Sequence, residues 1–287
     1  MTCELCPRRC GVDRAHGVGL CGCGMLPRVG RIAPHYDEEP LISGRNGAGT
    51  VFFSGCSLRC VYCQNFELSS SHRGVEITPY RLSEEYRRLE AAGVHNIELV
   101  TPTHFVDAIL ESFRHYRPAI PIIYNSSGYE SVETLSRLEG YIDVYLPDMK
   151  YSDNALSSRL SSCIDYVERA SDAIAEMIRQ RGEPVIEDGL IKSGVMIRHL
   201  VLPNHVNNSI GVLELIAERF PTALVSVMSQ YIPMGRAEEF PDINRPITAR
   251  EYDRVLQRLY ELGLDGYAQE RCSADKRYVP CWDYQAE

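Results

Sequence analysis

The chain has 287 residues, 44% of them apolar and 24% charged, with a formal net charge of −9. That length and balance suit one large α/β core with small appendages, and the acidic excess leaves no basic surface for a nucleic-acid backbone. The sequence holds no apolar run of about 18 residues and no hydrophobic signal region near its first residues, so the expected protein meets neither membrane nor secretory route and works in the cytoplasm.

Eleven cysteines without a secretory signal point toward metal and away from structural disulfides. Five of them, Cys3, Cys6, Cys10, Cys21 and Cys23, fall at the start in a C-x2-C-x3-C-x10-C-x-C pattern. Soft ligands in that number select zinc or iron. The readings are a structural metal knot on Cys3, Cys6, Cys10 and one or both of Cys21 and Cys23, an auxiliary iron–sulfur cluster, or thiols without metal. Residues 1–45 are assigned to this Cys-rich extension. It ends in His35, Asp37, Glu38 and Glu39, either a solvated loop or part of a site.

Short β-branched runs then alternate with amphipathic stretches. Residues 50–53 predict a first strand, and Thr78-Pro79 opens a helix with a capping residue before a first-turn proline. Leu82, Tyr86 and Leu89 supply its apolar stripe. Strands are predicted over 96–100, 120–124 and 142–146, with helices between them marked by Val106, Ile109, Leu110 and Phe113, then by Val132, Leu135 and Leu138. A helical insertion over 153–181 carries Tyr166, Ala170, Ile174 and Met177 on one face. Strands over 195–202 and 223–228 flank a helix over 210–220, and Thr248 with Glu251 forms a capping box for a last helix.

Six βα repeats imply a parallel sheet with right-handed crossovers, too few to close an eight-stranded barrel. The expected fold is α/β, an open partial (β/α)6 barrel over residues 46–240, followed by a C-terminal helix and tail over 241–287. Ligands in such folds gather at the carboxyl ends of the strands. Those ends carry Thr101, Thr103 and His104, Asn125 and Ser126, Asp148 and Lys150, Asn204 and His205, and Ser229 and Gln230.

The most specific signal follows the first of these strands. Cys56, Cys60 and Cys63 stand in a C-x3-C-x2-C spacing that offers an iron–sulfur cluster three thiolates and withholds a fourth. Four-cysteine ligation closes a [4Fe–4S] cluster; three leave one iron able to hold a reacting molecule. A structural zinc completed from elsewhere in the chain is the plainer alternative. Arg198 lies in an otherwise apolar strand, where a lone charge is costly unless paired, so ligand or ion-pair duty is expected of it. His199 reads as a satisfied core residue, and Cys163, Cys272 and Cys281 as scattered thiols. Trp282 and Tyr284 are candidates to close over the site.

With its triplet, Tyr62 in the aromatic place of C-x3-C-x-aromatic-C, and the βα repeats, the chain resembles radical S-adenosylmethionine (SAM) enzymes. The run from Ser54-Gly55-Cys56 to Gln64-Asn65 is similar to that of pyruvate formate-lyase activating enzymes and their uncharacterised homologues, as are Asp148-Met149-Lys150 and Arg198. The resemblance covers residues 44–235. It implies a [4Fe–4S] cluster on Cys56, Cys60 and Cys63, and SAM met by Tyr62, Asn65, Thr101, Thr103, Asn125, Ser126, Asp148, Lys150, Arg198 and Gln230. Reductive cleavage to methionine and a 5′-deoxyadenosyl radical then follows, with hydrogen taken from a substrate.

Two positions depart from the activating-enzyme pattern. Thr101-Pro102-Thr103-His104 stands where a Gly-Gly-Glu run is common, and Asn125 where an acid is common. The implied partners are a low-potential electron donor such as flavodoxin or ferredoxin, and a glycyl-radical-type protein as substrate. A small-molecule or peptide substrate is the alternative within this class. A non-catalytic iron–sulfur electron carrier is the alternative outside it.

Overall fold

Val51, Phe52 and Phe53 suit a pleated, buried surface, and in the computed structural model they lie in a strand buried along its length. The structure describes residues 2–270 and 280–284. In chain order its elements are β1 (Arg28–His35), α1 (Pro40–Ser43), β2 (Ala48–Phe53), α2 (Phe66–Ser69), β3 (Val75–Glu76), α3 (Pro79–Ala91) and β4 (Ile97–Val100). There follow α4 (Val106–His115), β5 (Ile122–Ser126), α5 (Val132–Ser136), β6 (Val144–Pro147), α6 (Asn154–Ser161) and α7 (Tyr166–Arg181). The chain continues through β7 (Val185–Glu187), β8 (Leu190–Leu200), α8 (Val206–Arg219), β9 (Leu224–Met228), α9 (Ala249–Glu261) and β10 (Gly266–Ala268).

The strands form one sheet in the order β10-β9-β8-β6-β5-β4-β2-β1-β3, with β7 paired to β8. From β2 to β10 every neighbouring pair on this path is parallel. β1 pairs antiparallel with β2 and with β3, and β7 antiparallel with β8. The sheet does not close, which is the open partial barrel expected. Two edges differ from the expectation. Residues 28–35, counted with the Cys-rich extension, are a sheet strand, and β10 adds a short parallel strand after the last helix.

Alternation along the strands separates two layers. Val51, Leu99, Tyr124, Tyr145, Ile197 and Val225 face the helices in the main core. On the opposite face, Ile123, Val144, Leu146 and Met196 pack with Leu41 and Ile42 of α1, which fills the barrel floor. The predicted helix starts hold: Thr78 Oγ1 accepts from the Arg81 amide at 3.1 Å, and Thr248 with Glu251 makes a complete capping box. The insertion is two helices, α6 and α7, broken at Ser162, whose φ of 50° is left-handed. Among the described residues no helix is long and apolar enough to cross a membrane.

Candidate active site

Cys56 follows β2 by three residues, and the loop that carries the triplet is fixed from several sides. Gly55 has a φ of 83°, and a Cβ there would lie 2.6 Å from both Cys21 O and Cys23 Sγ. Only glycine lets the chain turn so close to the N-terminal segment. The Val61 amide donates to Leu160 O at 2.9 Å, and the Arg236 amide to Val61 O at 2.7 Å. Tyr62 and Tyr151 share a hydroxyl hydrogen bond of 2.8 Å, Tyr151 and Ser161 one of 2.6 Å, and Ser161 Oγ donates to Cys60 Sγ at 2.9 Å. The Leu58 amide donates to Cys56 Sγ at 3.4 Å. Burial pushes the Cys60 thiol up to about 12, with Lys150 pulling the other way.

Cys56, Cys60 and Cys63 line one wall of a cavity of about 710 Å³ at the carboxyl ends of the parallel strands. Asn125, Asp148, Lys150 and Arg198 line another part of its wall. Arg198 Nε donates to Asp148 Oδ1 at 3.1 Å, Nη1 to Glu38 Oε1 at 2.8 Å, and Nη2 to Asn125 Oδ1 at 2.6 Å. Lys150 Nζ donates to the other Asp148 oxygen. Burial works against the charge on Asp148, but Lys150 and Arg198 together hold its carboxyl below the usual range. Burial likewise opposes the Lys150 charge, and Asp148 and Cys60 outweigh it, so its pKa is raised. Asp148, Lys150 and Arg198 therefore stay charged within one largely buried group.

Behind that wall the network runs inward. Asn125 Nδ2 donates to Glu98 Oε1 at 2.7 Å, and Thr50 Oγ1 to Glu98 Oε2 at 3.0 Å. Glu98 is fully buried, and burial raises its pKa well above the carboxylate range, with the Glu38 charge adding to it. Ser226 Oγ on β9 donates to Glu39 Oε1 at 2.7 Å.

Of the residues singled out in the sequence, Tyr62, Asn65, Thr101, Asn125, Ser126, Asp148, Lys150, Arg198 and Gln230 line this cavity with the triplet. Thr101 sits there with φ 60°, a conformation rare for a β-branched residue, its amide donating to Asn125 O at 2.8 Å. Thr103 lines no part of the cavity. Its hydroxyl donates to buried Glu130 at 2.6 Å because a one-turn 3₁₀ segment swings it away from the cavity. Asn204 and His205 also face elsewhere, toward Asp242. His199 is held in the core by Met149 O and Ser209.

Trp282 packs edge-on against Phe52 of the cavity wall, ring centroids 5.3 Å apart, whereas Tyr284 turns to Glu85 on α3. Cys272 lies outside the described residues. The five N-terminal cysteines line no part of the cavity and stand behind its cysteine loop. Among the described residues no three His, Cys, Asp or Glu side chains form a ready set for a single metal ion.

Sequence reading missed Glu98 and left Glu38 and Glu39 undecided. Glu98 carried the signal that marked Arg198, a single charge in an apolar strand. No local pattern marked Glu38, which reaches Arg198 only through the fold.

The donor set fits a [4Fe–4S] cluster with SAM. Three thiols sit on one loop, no fourth cysteine lines the cavity among the described residues, and the rest of the wall offers cations and carboxylates of the kind that hold an amino-acid group.

No family model matches the chain. The uncharacterized protein MJ0674 of Methanocaldococcus jannaschii is 32% identical to it over 278 residues, which are 92% of this chain and 76% of that protein. A radical SAM methyltransferase from Sphaerobacter thermophilus superposes with a TM-score of 0.52 at 17% identity, over 77% of this chain and 65% of the other. SuiB of Streptococcus suis, in its complex with the precursor peptide SuiA, gives 0.52 at 11% identity, over 75% and 46%. The chain thus spans less than two-thirds of the length of these solved proteins. At such identities the likeness is one of fold, the partial barrel of radical SAM enzymes.

Proposed function

The chain belongs to the family of the uncharacterized protein MJ0674, and on its site we propose that it is a radical SAM enzyme. One observation carries this reading: the Cys56, Cys60 and Cys63 loop and the Asp148, Lys150 and Arg198 group line a single cavity. When bound, a [4Fe–4S] cluster with SAM supplies one-electron cleavage to methionine and a 5′-deoxyadenosyl radical, which takes a hydrogen atom from the substrate.

The protein's part is to hold and orient. Cys56, Cys60 and Cys63 supply three ligands. Lys150 offers its charge to the SAM carboxylate, with Asp148 and Arg198 holding it in place. Asn125, Ser126, Thr101 and Gln230 offer hydrogen-bonding groups around the same space, with Asn65 on the cysteine side. Tyr62, edge-on to Tyr231 with centroids 6.0 Å apart, gives the adenine an aromatic wall.

As in the activating enzymes that the cysteine motif resembles, the hydrogen donor in this reading is a backbone glycine of a partner protein. A flavodoxin or ferredoxin supplies the electron. A second reading, a small molecule or peptide substrate, is favoured by the cavity's volume of about 710 Å³, which suits such a ligand.

Anaerobic reconstitution with iron and sulfide, then dithionite and SAM, tests the class. The expected product is 5′-deoxyadenosine, and Cys60→Ser abolishes both the cluster's absorption and the cleavage. An intact cluster that yields no 5′-deoxyadenosine sinks the enzyme reading and leaves an electron carrier. A glycine-centred radical in electron paramagnetic resonance on adding a candidate partner separates the two substrates.

A further inference from the structure

Residues 2–27 fold into two facing turns held against the back of the cysteine loop. In the first, the Cys3 amide donates to Val12 O at 3.0 Å, Gly11 to Cys3 O at 3.1 Å, and Arg9 to Cys6 O at 3.0 Å. In the second, Gly22 donates to Gly19 O at 2.8 Å and Gly19 to Cys23 O at 3.0 Å. The first carries Cys3, Cys6 and Cys10, the second Cys21 and Cys23.

The turns meet at Gly19. A Cβ there would lie 3.3 Å from the sulfurs of both Cys10 and Cys21, so any side chain would wedge between thiols of opposite turns. Cys3 and Cys10 are close enough for their thiols to hydrogen bond, and Cys6 feels the charges of both Cys3 and Cys21. The fold brings the sulfurs of Cys10 and Cys21 to one glycine, with Cys3 beside Cys10 and Cys6 near Cys3 and Cys21.

Backbone donors and one cation surround these sulfurs. The amides of Leu5, Arg8 and Cys23 point at the sulfurs of Cys3, Cys6 and Cys21, each two residues back. Leu58 does the same for Cys56 in the cluster loop. The Arg14 guanidinium lies beside Cys3 and Cys21, fixed by His104 O and Gly24 O. His104, 2% exposed, has Nδ1 buried without a hydrogen-bond partner, and its ring is also beside Cys21. All five cysteines are free thiols.

Cys23 differs from the other four. Its thiol donates to Ser54 O at 3.2 Å and packs on Gly55, the residue before Cys56. Arg8 completes the junction, donating to Ser57 O at 2.9 Å and to Ser161 O at 3.3 Å.

We propose that Cys3, Cys6, Cys10 and Cys21 bind a second metal centre through four thiolates, and that Cys23 packs this centre against the back of the Cys56 loop. Thiolate ligation selects zinc or an iron–sulfur cluster. Among the described residues no three of these side chains already form a set for one ion, so uptake draws the sulfurs inward by side-chain rotation.

The test uses the full chain with Cys56, Cys60 and Cys63 all replaced by alanine, so it is independent of the first cluster. Zinc, iron and labile sulfide are measured after anaerobic purification. The expected result is about one zinc, or about four irons with matching sulfide, per chain. On that background Cys6→Ser and Cys21→Ser lose the metal, while Cys23→Ser keeps it. A metal-free triple variant overturns the proposal, as does loss with Cys23→Ser but retention with Cys21→Ser.

Alkylation mapping of the triple variant needs no further substitution and so does not depend on the serine variants folding. Cys3, Cys6, Cys10 and Cys21 are expected to be protected until a chelator is added, with exposed Cys281 reacting throughout. Labelling that ignores the chelator overturns the proposal.

Discussion

Arg198 Nη2 on β8 donates to Asn125 Oδ1 on β5 at 2.6 Å, and this bond joins the charged wall of the cavity to the polar interior of the barrel. Asn125 passes the connection to Glu98, and Glu98 to Thr50, so four strands share one chain of hydrogen bonds. Register places them there: Thr50 pairs with Glu98, and Val100 with Asn125. Arg198 and Lys150 stand among the carboxyls of Glu38, Glu39 and Asp148. An acid at 125 would add a further carboxyl to that group and lose the amide that donates to Glu98, which gives the departure at this position a physical reason.

Breaking the balance should be costly. Arg198→Leu leaves Glu38 and Asp148 buried with only Lys150, and removal of one partner from a buried group of this kind costs about 3–5 kcal/mol. Arg198→Lys keeps the charge but cannot reach three acceptors, and should cost less. Urea unfolding at pH 7.5 reads both; equal stability of the leucine variant and the wild type would refute the role given to this network.

Lys150→Ala should weaken SAM binding roughly 10- to 100-fold, the worth of a charge-assisted hydrogen bond. Asp148 keeps Arg198 as its partner, so fold and iron content should hold. Equilibrium binding of SAM to the reconstituted protein checks this, and unchanged affinity removes Lys150 from the cofactor site.

Gly55→Ala should disturb the cysteine loop, because the new Cβ meets Cys23 Sγ and Cys21 O at 2.6 Å in a left-handed turn. The strain costs about 1–3 kcal/mol and moves Cys56. Lower iron per chain after reconstitution, with a lower unfolding midpoint, is the expected pair of results. A variant that loads iron as the wild type does would show that the close approach is dispensable.

Glu130 sets a pH dependence away from the cavity. Burial raises its pKa to about 7, against hydrogen bonds from Thr103 and Tyr124 that pull it down. Below the unfolded value of about 4.5 both states hold the proton, so the group costs nothing. Between there and pH 7 the unfolded chain releases its proton first, and native stability falls by roughly 3 kcal/mol. Glu130→Gln abolishes that loss, so its stability relative to wild type should rise by about that much from pH 4.5 to 7. A pH-independent difference in urea unfolding would contradict the burial argument.

The sequence by itself determined the alternation of strands and helices, the caps at Thr78 and Thr248, and the cysteine triplet at the end of the first parallel strand. These are local: periodicity, capping chemistry and ligand spacing are set by neighbours along the chain. It also marked Arg198, since a charge in an apolar strand must find a partner. Only the tertiary structure decided which partners those were. Glu38 meets Arg198 across 160 residues of chain, Thr103 turns to Glu130 instead of the cavity, and Cys23 rests on Gly55 behind Cys56. Such contacts depend on strand register and on which side chains a barrel interior brings face to face, and no spacing within the sequence encodes that.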